Sequence, residues 1–308
     1  MLTIIDFAKL ALYVYKDPKD NILLHDFIKF NHAFHVSDFD PKRLPVNGMY
    51  EVTVDSVMQS NTRDDFYASF FVKVENCRAI GGVIAIRGTV ASMLGNDTAD
   101  IYSWWKDVFD EKANPIPPIN YVHKAMSFYH KVRKYQGVLN ISPINTFVVG
   151  HSLGGAVAAL LPTQRGALAR AITFNAPGIM GMDGVRNLWD AVINFRAVHD
   201  FVSAIAIPVG NQFSYVVPEK DTQAANAFAY AREHIKDPIS RINVIGDLIE
   251  TTDFLKSVLP QHSMDNLLQE LENSRGINNR LLAVDTFGTI EPLLRTQLPQ
   301  FESPLYPK

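Results

Sequence analysis

The chain has 308 residues, 47% of them hydrophobic and 20% charged, with 29 basic against 32 acidic residues and a formal charge of -3. The apolar share suits a sizeable core and excludes intrinsic disorder, and the lack of basic excess argues against nucleic-acid binding, which needs clustered positive charge for phosphates. The single cysteine, Cys77, excludes an intramolecular disulfide framework and fits a reducing compartment.

The first residues lack a basic region, and Asp6 and Lys9 interrupt the apolar stretch that a signal peptide needs. No window approaches the roughly 18 consecutive apolar residues of a membrane span. The expected localisation is therefore cytoplasmic, or export by a route that uses no signal peptide. No repeat, low-complexity tract or linker divides the chain, so a single domain is predicted over 1–308: a helix and strands to about residue 80, a core over about 81–272 and an extension over 273–308.

In chain order, apolar residues at Ile5, Ala8, Leu12 and Tyr15 predict an amphipathic helix from Ile4 to Tyr15. Alternation predicts a strand from Tyr50 to Val57, and aromatic and valine content another from Phe66 to Val74. The pattern then becomes α/β. A short apolar run at Val83 to Ile86 reads as a strand buried on both faces and is followed by a helix at about Tyr121 to Tyr135. Next come a strand at Thr146 to Val149, a helix from Leu153 to Leu161 that stops at Pro162, and strands at Ala171 to Phe174 and Val192 to Val198. A strand at Phe213 to Val217, a helix at Thr222 to Ile235, a helix from Met264 to Leu271 and an irregular tail after Pro292 complete the reading. Alternating strands and helices predict an α/β fold, with a mostly parallel central sheet and helices on both faces.

Gly150-His151-Ser152-Leu153-Gly154 has the form G-x-S-x-G and lies between an apolar strand and a helix of small residues, the setting of a nucleophile elbow. A serine on so tight a turn takes an unfavourable backbone conformation, and the glycines two before and two after remove the side chains that would clash. The other reading of the motif is a glycine-rich turn capping a buried helix. Acyl transfer at such a serine needs two amide donors for the developing oxyanion. Leu153, after the serine, fills one place, and Thr89, after the strand ending in Ile86-Arg87-Gly88, fits the other.

The pairing of Ile86-Arg87-Gly88-Thr89 with Gly150 to Ala156 resembles the class 3 lipases. So do Trp105 and Asp107, Val122-His123, Phe174-Asn175-Ala176-Pro177-Gly178, and Asp200-Phe201-Val202. Ala125-Met126 and Ser203 depart from that family's usual residues. The resemblance implies an α/β-hydrolase-like fold and cleavage of carboxylic esters, especially acylglycerols and phospholipids, as a lipase, phospholipase A or lysophospholipase. It also implies transient contact with a membrane surface.

A serine nucleophile needs a histidine base oriented by a carboxylate, in the chain order Ser, acid, His. Asp200 follows the strand ending near Val198 and is favoured as the acid over Asp183 and Asp190, which read as turn residues. Downstream, only His234 and His262 remain. His234 falls in a charged helical pattern, whereas His262 lies in a loop, expected to be solvent-accessible, in a segment that resembles the family's histidine segment; His262 is favoured. His151 reads as a packed or gating neighbour, and His123, His130 and His199 as structural residues. The apolar and aromatic residues between Val90 and Phe109 fit either a lid over an acyl-binding cleft or plain core packing. No residue spacing points to a metal or other cofactor. A lipase-like binding protein without turnover, or a thioesterase or esterase of non-lipid substrates, would share the same scaffold.

Overall fold

The computed structural model describes residues 2–15, 34–35, 39–44, 47–54, 66–88, 119–142, 145–164, 169–179, 191–197, 200, 202–204, 209–215 and 262–273. Within them, eight strands form one sheet whose spatial order follows the chain: β1 (Phe34–His35), β2 (Gly48–Thr53), β3 (Ala68–Glu75), β4 (Arg78–Ile86), β5 (Thr146–His151), β6 (Arg170–Phe174), β7 (Val192–Ala197) and β8 (Asn211–Tyr215). β1 runs parallel to β2, the β2-β3-β4 pairs are antiparallel, and every pair from β4 to β8 is parallel. Among the described residues, four helices accompany the sheet: α1 (Ile4–Tyr13), α2 (Ile119–Leu139), α3 (Ser152–Leu160) and α4 (Met264–Asn273).

The two faces follow from side-chain alternation along each strand. On β4 and β5, Val83, Ala85, Phe147 and Val149 join α1 and α4 in one apolar cluster, while Ile84, Ile86 and Val148 join α2 and α3 in another. Helices thus cover both faces of a mostly parallel sheet, the α/β-hydrolase-like architecture. The α1/α4 face carries an in-register aromatic ladder of Phe174, Phe195 and Phe213, with ring centroids 5.7 and 5.5 Å apart. In the same strands the opposite face carries Thr173, Asn194 and Gln212, also in register and joined by side-chain hydrogen bonds of 3.0 and 3.1 Å.

Asp6, which breaks the apolar N-terminal stretch, closes a capping box. Its carboxylate accepts from the Thr3 amide at 2.9 Å, and the Thr3 hydroxyl accepts from the Asp6 amide at 3.1 Å. Phe7 then packs on Phe147 with centroids 5.0 Å apart, and Lys9 pairs with Glu272 of α4 at 2.9 Å. β4 begins at Arg78, well before the apolar run at Val83, because Asn76 and Cys77 both take positive φ (50° and 60°) and turn β3 back against it. α3 ends at Leu160, just before Pro162, as expected, and passes into a 3-10 turn over Leu161–Thr163, where a proline near the turn's start costs no hydrogen bond. Val198, the predicted helix at Thr222 to Ile235, the tail after Pro292 and the segment from Val90 to Phe109 lie outside the described residues. Among the described residues no helix is long and apolar enough to cross a membrane.

Candidate active site

β5 passes into α3 without an intervening residue, and the junction is Ser152. Its φ of 56° lies in the left-handed region, where a non-glycine residue costs on the order of 1–3 kcal/mol. The flanking glycines make the turn possible. A Cβ on Gly150 would stand 2.3 Å from the Gly154 carbonyl oxygen, and one on Gly154 would stand 2.4 Å from that of Ile86. The serine is thereby raised at the carboxyl edge of the sheet, beside first-turn amides, Leu153 among them, that lack intrahelical acceptors and form the positive pole of the helix. Ser152 and Leu153 are both buried.

Asp200 sits just beyond the carboxyl end of β7 and is 1% exposed. Its Oδ1 accepts from the Val202 amide at 3.1 Å and its Oδ2 from the Ser203 amide at 3.2 Å, while its main-chain carbonyl accepts from the Ser203 hydroxyl at 3.0 Å. This turn fixes the carboxylate. Oδ1 also lies 2.9 Å from Nδ1 of His262, the residue two before α4. Since an ionised carboxylate only accepts, Nδ1 carries the proton and Nε2 of a neutral ring is left as a proton acceptor.

The site is drawn together by His151. Its Nε2 lies 2.8 Å from the main-chain oxygen of His262, and the two imidazoles pack with centroids 4.7 Å apart. The residue preceding Ser152 therefore seats the segment that carries His262. Among the described residues, no hydrogen bond joins the Ser152 hydroxyl to the His262 ring. Contrary to the solvent-accessible loop expected, the His262 side chain is only 14% exposed, because it is held between His151 and Asp200. Burial and the neighbouring His262 ring hold His151 well below the usual imidazole value of 6.5, so it stays neutral. His123 and His130 are exposed on α2 rather than buried in the core as structural residues would be, although the His130 ring meets that of Tyr129 edge-on, with centroids 5.9 Å apart. Thr89, His199, His234, Asp183 and Asp190 lie outside the described residues.

Two further residues reach the site. Tyr15 counts as apolar in the helical periodicity, yet its hydroxyl meets Gly88 and His151, and burial raises the phenol well above its ordinary value. Arg196, 2% exposed on β7, donates from Nη1 to the Ser203 carbonyl at 3.1 Å. Burial pulls its guanidinium down to about 10, with the Asp200 charge acting in the opposite direction. A sequence signal for it exists: an arginine in a short strand flanked by apolar residues, four residues before Asp200, is too costly to bury without partners. Among the described residues no group of three or more His, Cys, Asp or Glu side chains is gathered as a metal site.

No protein-family model matches the sequence, and no curated protein matches it. The structure is similar to the extracellular lipase LipA from Serratia marcescens, with 15% identity and a TM-score of 0.45 over 87% of this chain and 49% of that one. This chain thus spans about half the length of that lipase. It is also similar to the Lip2 lipase from Yarrowia lipolytica (16% identity, TM-score 0.44, 70% of this chain and 78% of that one). A third similar structure is lipase II from Rhizopus niveus (14% identity, TM-score 0.36, 68% and 78%).

Proposed function

We propose that the chain is a serine hydrolase of lipid carboxylic esters, with Ser152 as nucleophile, His262 as base and Asp200 as the orienting acid. The observation that carries this reading is the buried Asp200–His262 pair, seated through His151 on a strained serine at the start of α3. A serine at a left-handed turn and a carboxylate buried to 1% exposure, its charge only partly offset by two amides, are costly devices for a fold that needs only stability.

In the reaction, Nε2 of His262 takes the Ser152 proton as the hydroxyl oxygen attacks the ester carbonyl. The imidazolium is stabilised by Asp200, and the oxyanion by the amides of Leu153 and Thr89. Collapse expels the alcohol, which receives the proton from His262, and leaves an acyl-serine. Water, deprotonated by the same ring, then attacks the acyl carbon, and collapse breaks the bond to Ser152, whose oxygen takes the proton back from His262 as the fatty acid leaves. No metal or other cofactor enters these steps. The lipid class is supported by the Arg-Gly-Thr and elbow motifs that resemble the class 3 lipases, and phospholipase A or lysophospholipase action is the proposed specificity.

The test is hydrolysis of p-nitrophenyl esters of increasing acyl length, followed by phospholipid and lysophospholipid vesicles. The reading expects kcat/KM to rise with chain length and fatty acid to appear from the vesicles. Activity confined to acetyl or thioester substrates would mark an esterase or thioesterase, and lipid binding without turnover would mark a binding protein.

A further inference from the structure

Resting on that reading, we infer that Tyr15 and His151 form a clasp that holds the segment before Thr89 and the segment carrying His262 onto the nucleophile elbow, and that both are positioning residues for the chemistry at Ser152. The clasp joins four stretches far apart in the chain. The Tyr15 hydroxyl accepts from the Gly88 amide at 2.8 Å and lies 3.2 Å from both the carbonyl oxygen and Nδ1 of His151. Nε2 of His151 lies 2.8 Å from the carbonyl oxygen of His262.

These contacts constrain where the protons lie. A carbonyl oxygen only accepts, so Nε2 of His151 must carry a proton. In the neutral ring Nδ1 is then an acceptor, and the single phenolic proton of Tyr15 points to it or to the adjacent His151 carbonyl. The remaining lone pair of the phenol takes the Gly88 amide. Hydrogen bonds thus run from Gly88 through Tyr15 to His151 and on to His262, with each donor facing an acceptor. Burial supports this by disfavouring the doubly protonated ring.

Packing alone does not explain these side chains. Phenylalanine at position 15 would keep the edge-on ring contact with position 151, whose centroids are 5.6 Å apart. The polar atoms add bonds to the backbone on both sides of Ser152: at Gly88, one residue before the proposed oxyanion donor, and at His262, the proposed base. Misplacement of a catalytic group by about an ångström can cost on the order of 100-fold in rate, so two short bonds to the flanking backbone are well placed to govern turnover.

The experiment compares the wild type with Tyr15→Phe, His151→Leu and His151→Gln. It follows kcat and KM on a p-nitrophenyl ester, the rate at which a fluorophosphonate labels Ser152, and thermal unfolding. Tyr15→Phe and His151→Leu are expected to lower kcat and the labelling rate together by about 10- to 100-fold, with KM within about twofold and a cooperative melting transition retained. His151→Gln, whose amide can still donate toward the His262 carbonyl, should recover most of the loss seen in His151→Leu. Labelling and kcat within about twofold of wild type in Tyr15→Phe would overturn the clasp, as would lowered melting with unchanged kcat. If His151→Leu does not fold, Tyr15→Phe, which removes a single oxygen, carries the test. A wild type that is never labelled at Ser152 overturns the hydrolase reading itself, whereas a labelled wild type with an equally fast Tyr15→Phe overturns the clasp alone.

Discussion

Replacing Asp200 by asparagine keeps the shape of the side chain and halves its capacity to accept hydrogen bonds from both sides. In the wild type, Oδ1 accepts from His262 Nδ1 and the Val202 amide, and Oδ2 from the Ser203 amide, at 2.9, 3.1 and 3.2 Å. An asparagine has one acceptor oxygen, so in either orientation its NH2 group faces an N–H. With the oxygen toward His262, the Ser203 amide loses its partner in a buried turn, at a cost of about 1–3 kcal/mol in stability. With the amide flipped, its NH2 donates to Nδ1 of His262, the tautomer reverses, and Nε2 carries the proton it is meant to accept. Either way the imidazolium that the proposed mechanism forms on serine attack loses its carboxylate. The expected loss in kcat/KM is on the order of 10⁴-fold, equivalent to about 5.4 kcal/mol in barrier, alongside a fall of a few degrees in melting temperature. Steady-state kinetics on a p-nitrophenyl ester, with calorimetry on the same sample, measures both. A folded Asp200→Asn protein within about tenfold of wild-type kcat/KM would refute the assignment of the acid.

Removing the proposed base by His262→Ala should cost at least about 10³-fold in kcat, whereas His234→Ala should cost little; the reverse pattern in the same assay would assign the base to His234. Because His151 stays neutral in the fold but takes a proton once unfolded, the unfolded state binds more protons below about pH 6.5, and stability falls as the pH drops through that value. The group contributes a slope of up to about 1.4 kcal/mol per pH unit below roughly pH 6.5. Denaturant titrations of wild type and His151→Gln across that range should show the variant's slope reduced by about one proton. Phe195→Ala removes the middle rung of the Phe174, Phe195 and Phe213 ladder and should destabilise by about 3–5 kcal/mol by urea denaturation; a loss under about 1 kcal/mol would mean the ladder contributes little.

The parts of the fold legible in the sequence are those where one local signal suffices. The apolar run at Thr146 to Val149, the glycines around Ser152 and the small residues of α3 each report burial at their own position. Asp200 and His262 could be nominated because strand ends and loops at the carboxyl edge of such a sheet converge on one place. What escaped depends on long-range geometry. The two residues of β1 carry no periodicity, and the length of β4 is set by pairing across the Asn76-Cys77 turn rather than by its own Arg78-Ala-Ile-Gly-Gly start. Tyr15 was legible only as an apolar ring, since periodicity does not say where a hydroxyl ends. The burial of His262 arises from its contact with His151, a pairing across 111 residues that no spacing encodes.

The most direct measurement is mass-spectrometric mapping of a fluorophosphonate adduct on the intact protein, because only a serine deprotonated by a positioned base reacts rapidly. Stoichiometric labelling confined to Ser152 is expected, abolished in Ser152→Ala and in heat-unfolded protein, and slowed by at least about 10³-fold in His262→Ala. Absence of labelling in the folded wild type, or a label carried by another serine, would contradict it.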